Sequence, residues 1–203
     1  MYSDIIRAVI LGYFLGSIPF ALVIGKVFYK KDIRQFGSKN LGGGNAGRVL
    51  GKKAGVAVMT LDILKVTLAI FIVPLFPHSE ITTVVAGVSA AIGHCFPIFA
   101  RFKGGKAVAT MYGFLFGMGL FAGYGIQIFL LPLVCFLVIL YLGKIISIAS
   151  IGSAAFITVF IYLTTDSVPM YCAMLFFTVM IIVRHKKNIS RLLKGEENKI
   201  SWM

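Results

Sequence analysis

Long apolar runs constrain this chain more than any other feature. Seven runs, most of them without an interior charge, are separated by short polar links. A helix needs about 20 apolar residues to cross a bilayer core about 30 Å thick. The chain is 59% hydrophobic, whereas soluble domains are about 45–50% apolar. The pattern predicts an all-α integral membrane protein with about seven transmembrane helices. The runs cover residues 4–28, 54–76, 81–100, 107–122, 126–142, 146–164 and 168–183.

The links leave little room for anything besides the helices. Three of them are tight: Pro77-His78-Ser79-Glu80, Gly123-Tyr124-Gly125 and Thr165-Asp166-Ser167. Two polar stretches are longer, residues 29–53 and the tail from Arg184. We therefore expect a single polytopic membrane domain over residues 1–203.

The basic residues predict how the chain is oriented. There are 20 Lys and Arg residues against 7 Asp and Glu, a net charge of +13. If the seven runs are numbered as spans, all of the basic residues except Arg7 and Lys65 fall on one side. Positively charged loops favour the cytoplasmic side. We expect the N-terminus outside, the C-terminus in the cytoplasm, and a multi-pass protein of the cytoplasmic membrane. Since the basic residues lie between apolar runs, their partners are expected to be anionic lipids or an anionic substrate rather than nucleic acid.

The first polar stretch resembles an anion cradle. Residues 37–48 read G-S-K-N-L-G-G-G-N-A-G-R. Glycines let backbone N–H groups approach a ligand closely, and an arginine fork suits phosphate. The alternative is a flexible glycine-rich loop with a basic, lipid-facing flank. The candidate ligand-binding residues here are Gly37, Ser38, Asn40, Gly42, Asn45 and Arg48.

A second stretch follows the third run. Lys103 and Lys106 bracket Gly104 and Gly105, so both lysines could face one anion while the glycines remove steric bulk. The alternative is a positive-inside loop with glycine as a helix cap. His94 lies in the preceding apolar run; for a lone histidine there, a packed, hydrogen-bonded role is more common than a catalytic one.

A third stretch joins Ser147 to the end of the seventh run. If the helix continues past the membrane, Arg184, Asn188 and Arg191 share one face, and His185 lies one turn from Asn188. The alternative is an ordinary basic stop-transfer tail, which is our interpretation of Lys186, Lys187 and Lys194.

Two charged residues stand inside the second run. Asp62 and Lys65 have the i,i+3 spacing of a helical pair, and an ion pair avoids two isolated charges in hydrocarbon. Few acidic residues and no zinc-like Cys/His spacing predict no metal site. The sequence also shows no Ser-His-Asp spacing with a nucleophile elbow, the pattern of a nucleophilic hydrolase. The chemistry indicated is anion binding.

Together these motifs resemble the PlsY family, the membrane acyl-phosphate:glycerol-3-phosphate acyltransferases. The similarity covers nearly the whole chain in the family's order. The matching segments are Gly16-Ser17-Ile18-Pro19, Asp32-Ile33-Arg34, residues 37–55, Asp62 with Lys65, residues 93–99, residues 103–110, residues 147–151, and Arg184-His185 with Asn188, Arg191, Leu192 and Leu193.

The resemblance implies seven transmembrane helices and a reaction. An acyl group would pass from acyl-phosphate to the 1-hydroxyl of glycerol 3-phosphate, giving lysophosphatidic acid for phospholipid biosynthesis. It implies no cofactor, and a functional link to an enzyme that makes acyl-phosphate. The pocket residues implied are Ser38, Arg48, Lys106, Ser147, His185 and Asn188 as catalytic, with Gly37, Asn40, Gly42, Asn45, Lys103, Gly104, Gly105 and His94 binding substrate phosphate.

The sequence departs from the family pattern at several positions. Lys39 replaces a Gly, Gly43 an Ala, Gly44 a Thr, Val66 a Gly, and Ala107 a Gly. These changes leave open a diverged homologue with altered substrate or without turnover. A transporter for phosphorylated anions is a further alternative, since basic pockets between Gly-interrupted helices suit transport.

Overall fold

The computed structural model describes residues 2–75 and 78–200, and this part of the chain is helical without a strand. The end of the second apolar run at residue 76 and Pro77 of the first tight link lie outside the described residues. Short 3₁₀ turns occur at Ile33–Gln35, Val73–Leu75 and Ile98–Ala100. The helices are α1 (Tyr2–Gly16), α2 (Phe20–Tyr29), α3 (Gly43–Leu50), α4 (Lys52–Ile72), α5 (Glu80–Cys95), α6 (Val108–Phe121), α7 (Gln127–Gly143), α8 (Ile146–Thr164), α9 (Val168–Arg184) and α10 (Lys186–Leu193).

Four segments of the described chain are long and apolar enough to cross a bilayer. They are Tyr2–Tyr29, Lys52–Ile72, Glu80–Ala100 and Ile146–Thr164. A fifth is the pair α9 and α10, which is bent by 58°. Helices α6 and α7 are apolar but shorter, with 14 and 17 residues. These helices correspond to the seven predicted runs, although length and composition alone support four or five spans.

Helices α1 and α5 pack closely because glycines line their contact. A Cβ at Gly12 would lie 2.2 Å from the Ala86 carbonyl oxygen, and one at Gly16 would lie 1.9 Å from that of Ala90. Small residues spaced by four allow two helix backbones to approach in this way. The first apolar run is interrupted after Gly16, because Pro19 cannot donate a helical hydrogen bond and the chain re-enters a helix at Phe20.

Side-chain contacts place alternate links at opposite ends of the bundle. At one end, the Glu80 carboxylate accepts hydrogen bonds from the hydroxyls of Tyr124 and Ser167. This joins the start of α5, the α6–α7 link and the α8–α9 link. At the other end, hydrogen bonds join the α5–α6 link to α9 and α10. Helices α5 to α9 therefore alternate in direction.

The bundle interior is apolar with a few satisfied hydroxyls. The rings of Phe114 and Phe177 pack at 5.1 Å between centroids and are fully buried. The Tyr112 hydroxyl contacts the Pro132 carbonyl at 3.0 Å and Ser153 Oγ at 3.2 Å, which connects α6 to α7 and α8. Buried polar groups need such partners, so these bonds fix the register of the three helices.

The first polar stretch is only partly a loop. The alternative of a flexible loop over residues 37–48 does not hold for the second half, because Gly43 begins α3. The backbones of α3 and α4 meet at Gly47 and Gly55, where a Cβ on Gly55 would lie 2.7 Å from Gly47 Cα. Glycine is tolerated in this short helix because the close packing against α4 stabilises it.

Candidate anion-binding site

The Gly104–Gly105 segment is held from both sides by the ends of α5 and α9. The Gly105 N–H donates to the His94 carbonyl at 3.0 Å, and the Gly104 N–H donates to that of Cys95 at 3.2 Å. From the other side, the Arg184 guanidinium donates to the carbonyls of Gly105 and Gly104, both at 3.0 Å. A buried segment fixed in this way gives the next residue, Lys106, a defined position.

A buried polar triad supports the same segment. The predicted Asp62–Lys65 ion pair is confirmed, with Lys65 Nζ 2.7 Å from Asp62 Oδ1. His94 Nδ1 lies 3.1 Å from Lys65 Nζ and 3.5 Å from Asp62 Oδ1. The other side of the imidazole faces Gly105, where a Cβ would lie 1.9 Å from His94 Nε2. His94 is therefore packed and hydrogen-bonded, the role expected for a lone histidine in an apolar run. Its ring lies against the Gly104–Gly105 segment that precedes Lys106.

Lys106 belongs to a cluster contributed by three distant parts of the chain. Lys106 Nζ donates to Asn188 Oδ1 at 2.5 Å, and Asn188 Nδ2 donates to Glu197 Oε1 at 2.5 Å. The Ser147 hydroxyl donates to the same Glu197 oxygen at 3.1 Å. Arg191 Nε donates to Glu197 Oε2 at 2.7 Å. The cluster is an anion-binding arrangement, since hydroxyl, amide and guanidinium donors surround one carboxylate.

The environment of Lys106 changes its proton affinity. Burial lowers the pKa of Lys106 to about 8, and the positive charges of Arg191, Arg184 and Arg48 add to that lowering, against the opposing effect of Glu197. Removing a cation from water disfavours its charged form. The Lys106 ammonium is thus charged at neutral pH but loses its proton far more easily than an ordinary lysine.

His185 lies buried at the junction of α9 and α10. Its Nδ1 is 2.8 Å from the Ile181 carbonyl oxygen. Since a carbonyl only accepts, Nδ1 carries the proton, and Nε2 of the neutral ring is left as an acceptor.

The first stretch is organised by Asn45. The buried Asn45 side chain accepts from the Ser38 N–H at 2.9 Å and donates to the carbonyls of Ile33 and Phe36, both at 3.2 Å. These bonds engage the amide in ordering the loop. A Cβ at Gly37 would lie 2.3 Å from Asn45 Oδ1, which explains the glycine there.

The other residues of the first stretch are more open. Ser38 and Arg48 are exposed, and the charge of Arg48 acts on Lys106. Asn40 Nδ2 would be 3.0 Å from a Cβ on Gly42, so Asn40 lies beside the start of α3. Lys103 is exposed, and within the part of the chain that the structure describes no hydrogen bond joins it to the Lys106 cluster.

The geometry corrects one prediction and adds residues that we did not propose for the pocket. The prediction of one helix that continues past Arg184 is wrong, because α9 and α10 meet at His185 with a bend of 58°. Arg184 therefore holds the glycine segment, while Asn188 and Arg191 face Glu197. The helical spacing of Arg184 and Arg191 indicated both arginines in the sequence. No sequence pattern indicated Glu197, because it contacts Ser147, which lies far away along the chain. Among the described residues, no group of three His, Cys, Asp or Glu side chains could hold a metal ion.

Two departures from the family pattern fall on left-handed backbone. Lys39 has φ 60° and Ala107 has φ 64°, a region that residues with a Cβ rarely adopt. The glycines expected at these two positions would adopt it freely. Gly44, by contrast, has open space around a Cβ, so the Thr of the family pattern would fit there.

Fold and site define an all-helical membrane protein with an anion-binding cluster at one end of its bundle. The family model described as glycerol-3-phosphate acyltransferase matches residues 6–195. A glycerol-3-phosphate acyltransferase of Geobacillus kaustophilus is 43% identical over 95% of this chain and 94% of its own length. Glycerol-3-phosphate acyltransferase 2 of Bacillus anthracis is 47% identical over 96% of this chain and 98% of its own.

Solved structures agree with the sequence comparison. The crystal structure of PlsY, an integral membrane glycerol 3-phosphate acyltransferase in its glycerol 3-phosphate form, superposes with a TM-score of 0.89 at 34% identity, covering 97% of this chain and 96% of that one. Its lysophosphatidic acid form gives 0.86 at 34% identity, with 97% and 95% covered. The chain is an integral membrane protein and belongs to the glycerol-3-phosphate acyltransferase family.

Proposed function

We propose that this chain is an acyl-phosphate-dependent glycerol-3-phosphate 1-O-acyltransferase that makes lysophosphatidic acid for phospholipid biosynthesis. One observation carries the proposal beyond family membership. Lys106, Ser147 and Asn188, which the motifs mark as catalytic, come from separate parts of the chain into one hydrogen-bonded cluster, in which Ser147 and Asn188 donate to the Glu197 carboxylate and Lys106 donates to Asn188. Both substrates carry phosphate, and this donor set suits phosphate as well as it suits a carboxylate.

The chemistry requires little of the protein beyond positioning and charge. The hydroxyl oxygen at position 1 of glycerol 3-phosphate attacks the acyl carbonyl, the acyl–phosphate bond breaks, and the hydroxyl proton leaves on a phosphate oxygen of a substrate. Preorganised donors stabilise the charge that develops on the carbonyl and on the departing phosphate. Arg48, Lys106 and Asn188 are the groups that we assign to this role, together with Ser38, Ser147 and His185. The surrounding residues Gly37, Asn40, Gly42, Asn45, His94, Lys103, Gly104 and Gly105 shape the phosphate-binding walls.

We propose seven spans in a single domain over residues 1–203, with the N-terminus outside and the C-terminus cytoplasmic. The two shorter apolar helices, α6 and α7, complete the count, because tilted or locally thinned bilayers accommodate short spans. The lysine and arginine asymmetry supports the orientation. Impermeant maleimide applied to intact bacteria should label Ser79→Cys and spare Lys187→Cys; labelling of only Lys187→Cys would reverse the topology.

The function is tested with purified protein in lipid bilayers. Palmitoyl-phosphate and labelled glycerol 3-phosphate should yield lysophosphatidic acid and an equimolar amount of inorganic phosphate. Lys106→Ala and Arg48→Ala should each reduce kcat/KM by about 10²-fold, because removal of one positioned donor typically costs this much. Lys187→Ala, exposed on α10, is the matched control and should retain full activity. A folded wild type without turnover would instead indicate a diverged relative.

A further inference from the structure

The group that fills the anion-binding cluster comes from the chain itself. Glu197 receives hydrogen bonds from Ser147, Asn188 and Arg191, and its side chain is only 6% exposed. Burial opposes ionisation of this carboxyl, but the bonds from Asn188, Arg191 and Ser147 hold the pKa of Glu197 below its usual value. A buried carboxylate with three directed donors is bound as a ligand would be.

The backbone delivers Glu197 to this position by a defined turn. Helix α10 ends at Leu193, and Gly195 has φ 72°. The Gly195 N–H donates to the Leu192 carbonyl at 3.0 Å, and the Glu196 N–H donates to that of Arg191 at 2.8 Å. This is the Schellman arrangement, which reverses the chain after a helix. The next residue is therefore directed back over α10 toward Ser147.

A second attachment holds the segment after Glu197. The Ile200 N–H donates to the Lys144 carbonyl in the α7–α8 link at 2.8 Å. The segment 195–200, which we call the tail strap, is thus fixed on both sides of Glu197. The family match ends at residue 195, so Glu197 lies beyond the part of the chain that carries the family motifs.

From this geometry we propose that the tail strap is a built-in competitor, in which the Glu197 carboxylate occupies the position of a substrate phosphate on Ser147, Asn188 and Arg191. The inference rests on the proposed function for the identity of the substrate. Phosphate and carboxylate cannot use the same donors at once, so the tail strap must lift before phosphate binds. It also makes Arg191 a phosphate-binding residue of the open state.

The competition has a measurable size. A ligand that binds only the open state has its apparent Kd raised by the inverse of the open fraction. If the strap covers the site for about nine-tenths of the time, the apparent Kd is about tenfold weaker than that of the open site. Removing the Glu197 charge should recover that factor and leave the turnover of bound substrate unchanged.

The test compares Glu197→Gln with Glu196→Gln in the full chain. The control changes the same chemistry one residue earlier, where the side chain is exposed. Three quantities are measured in lipid nanodiscs: the Kd of inorganic phosphate by calorimetry, and KM and kcat for glycerol 3-phosphate. We expect Glu197→Gln to lower both Kd and KM by about 3- to 10-fold at unchanged kcat, with Glu196→Gln like wild type.

Other outcomes separate the two proposals. If Glu197→Gln leaves Kd and KM unchanged or raises them, Glu197 is a structural part of the cluster and the competitor proposal is overturned, while acyl transfer stands. If no variant turns over substrate, the proposed function fails, but the phosphate Kd still decides on the strap. A Glu197→Asp variant keeps the carboxylate, and a phosphate Kd close to wild type, in contrast to Glu197→Gln, would further support a competing carboxylate.

Discussion

Lys106 is the residue whose chemistry is tuned most directly by the fold. Its pKa is lowered to about 8, first by burial and then by the neighbouring arginines. The ammonium is the binding-competent form, so it is fully present well below pH 8 and disappears as the pH rises through 8. We expect kcat/KM for glycerol 3-phosphate to fall about tenfold per pH unit above that value, since kcat/KM reports the free enzyme.

The matched variant for this prediction is Lys106→Arg. Arginine keeps its charge throughout the accessible range, so the alkaline fall in kcat/KM should disappear even if the absolute rate is lower. An unchanged alkaline limb in Lys106→Arg would assign the titration to another group.

Backbone strain at Ala107 makes a second prediction at this scale. A left-handed residue with a Cβ costs roughly 1–2 kcal/mol, which glycine avoids at some cost in chain entropy. The Ala107 side chain is fully buried, so glycine also loses a buried methyl group worth about 0.8 kcal/mol. Because the relieved strain offsets this loss, we expect Ala107→Gly to keep the thermal midpoint within about 2 °C of wild type. The comparison is Ala154→Gly, an equally buried alanine inside α8, which should lower the midpoint because glycine weakens a helix interior and no strain is relieved there. A fall in both variants would contradict the strain at position 107.

At the scale of elements, apolar length determined what could be predicted. The last four apolar runs match α6 to α9 within one residue at each end, because a continuous apolar run between two polar links is visible in the sequence itself. The i,i+3 spacing was enough to predict the Asp62–Lys65 pair. Local pattern did not reveal the break at His185 or the start of α3 at Gly43, because both depend on packing between distant segments.

For the site, too, local motifs could be predicted from the sequence, whereas contacts between distant residues could not. Lys106, Ser147 and Asn188 were predicted from their motifs, and the structure brings them together. The support of His94 by Lys65, 29 residues away, was not predictable from spacing. The capture of Glu197 by Ser147, 50 residues away, was equally hidden, because long-range hydrogen bonds leave no period in a sequence.

The contact between α5 and the Gly104–Gly105 segment leads to a prediction about how secondary-structure elements position Lys106. A Cβ at position 105 would lie 1.9 Å from His94 Nε2, and Asp62 and Lys65 prevent the imidazole from moving. Gly105→Ala should displace Lys106 and reduce acyl transfer by at least about 10²-fold. Gly143→Ala, at a glycine with open space, should be neutral. The double variant Gly105→Ala with His94→Ala should regain part of the lost activity; if it regains none, the collision is not the cause.

At the scale of the whole molecule, the two ends of the bundle have separate tasks. The anion-binding cluster lies where the α5–α6 and α7–α8 links meet α10, and the Glu80 contact closes the opposite end. Helix α5 has 16 residues, so about 24 Å separates its two ends at 1.5 Å per residue. Changes at the Glu80 end should therefore alter stability without altering the chemistry of the site.

Glu80→Gln tests this separation. The amide oxygen still accepts from Tyr124 and Ser167, but hydrogen bonds to a neutral acceptor are weaker than those to a carboxylate. At this exposed site we expect a loss of about 1 kcal/mol, or about 2–4 °C in the thermal midpoint, with kcat and KM at 25 °C unchanged. Asp166→Asn removes an exposed charge at the same end and should change neither quantity. A Glu80→Gln enzyme that stays folded yet shows a raised KM would mean that the two ends are coupled, because the change would have to reach Lys106 along the helices that join them, such as α5 and α6.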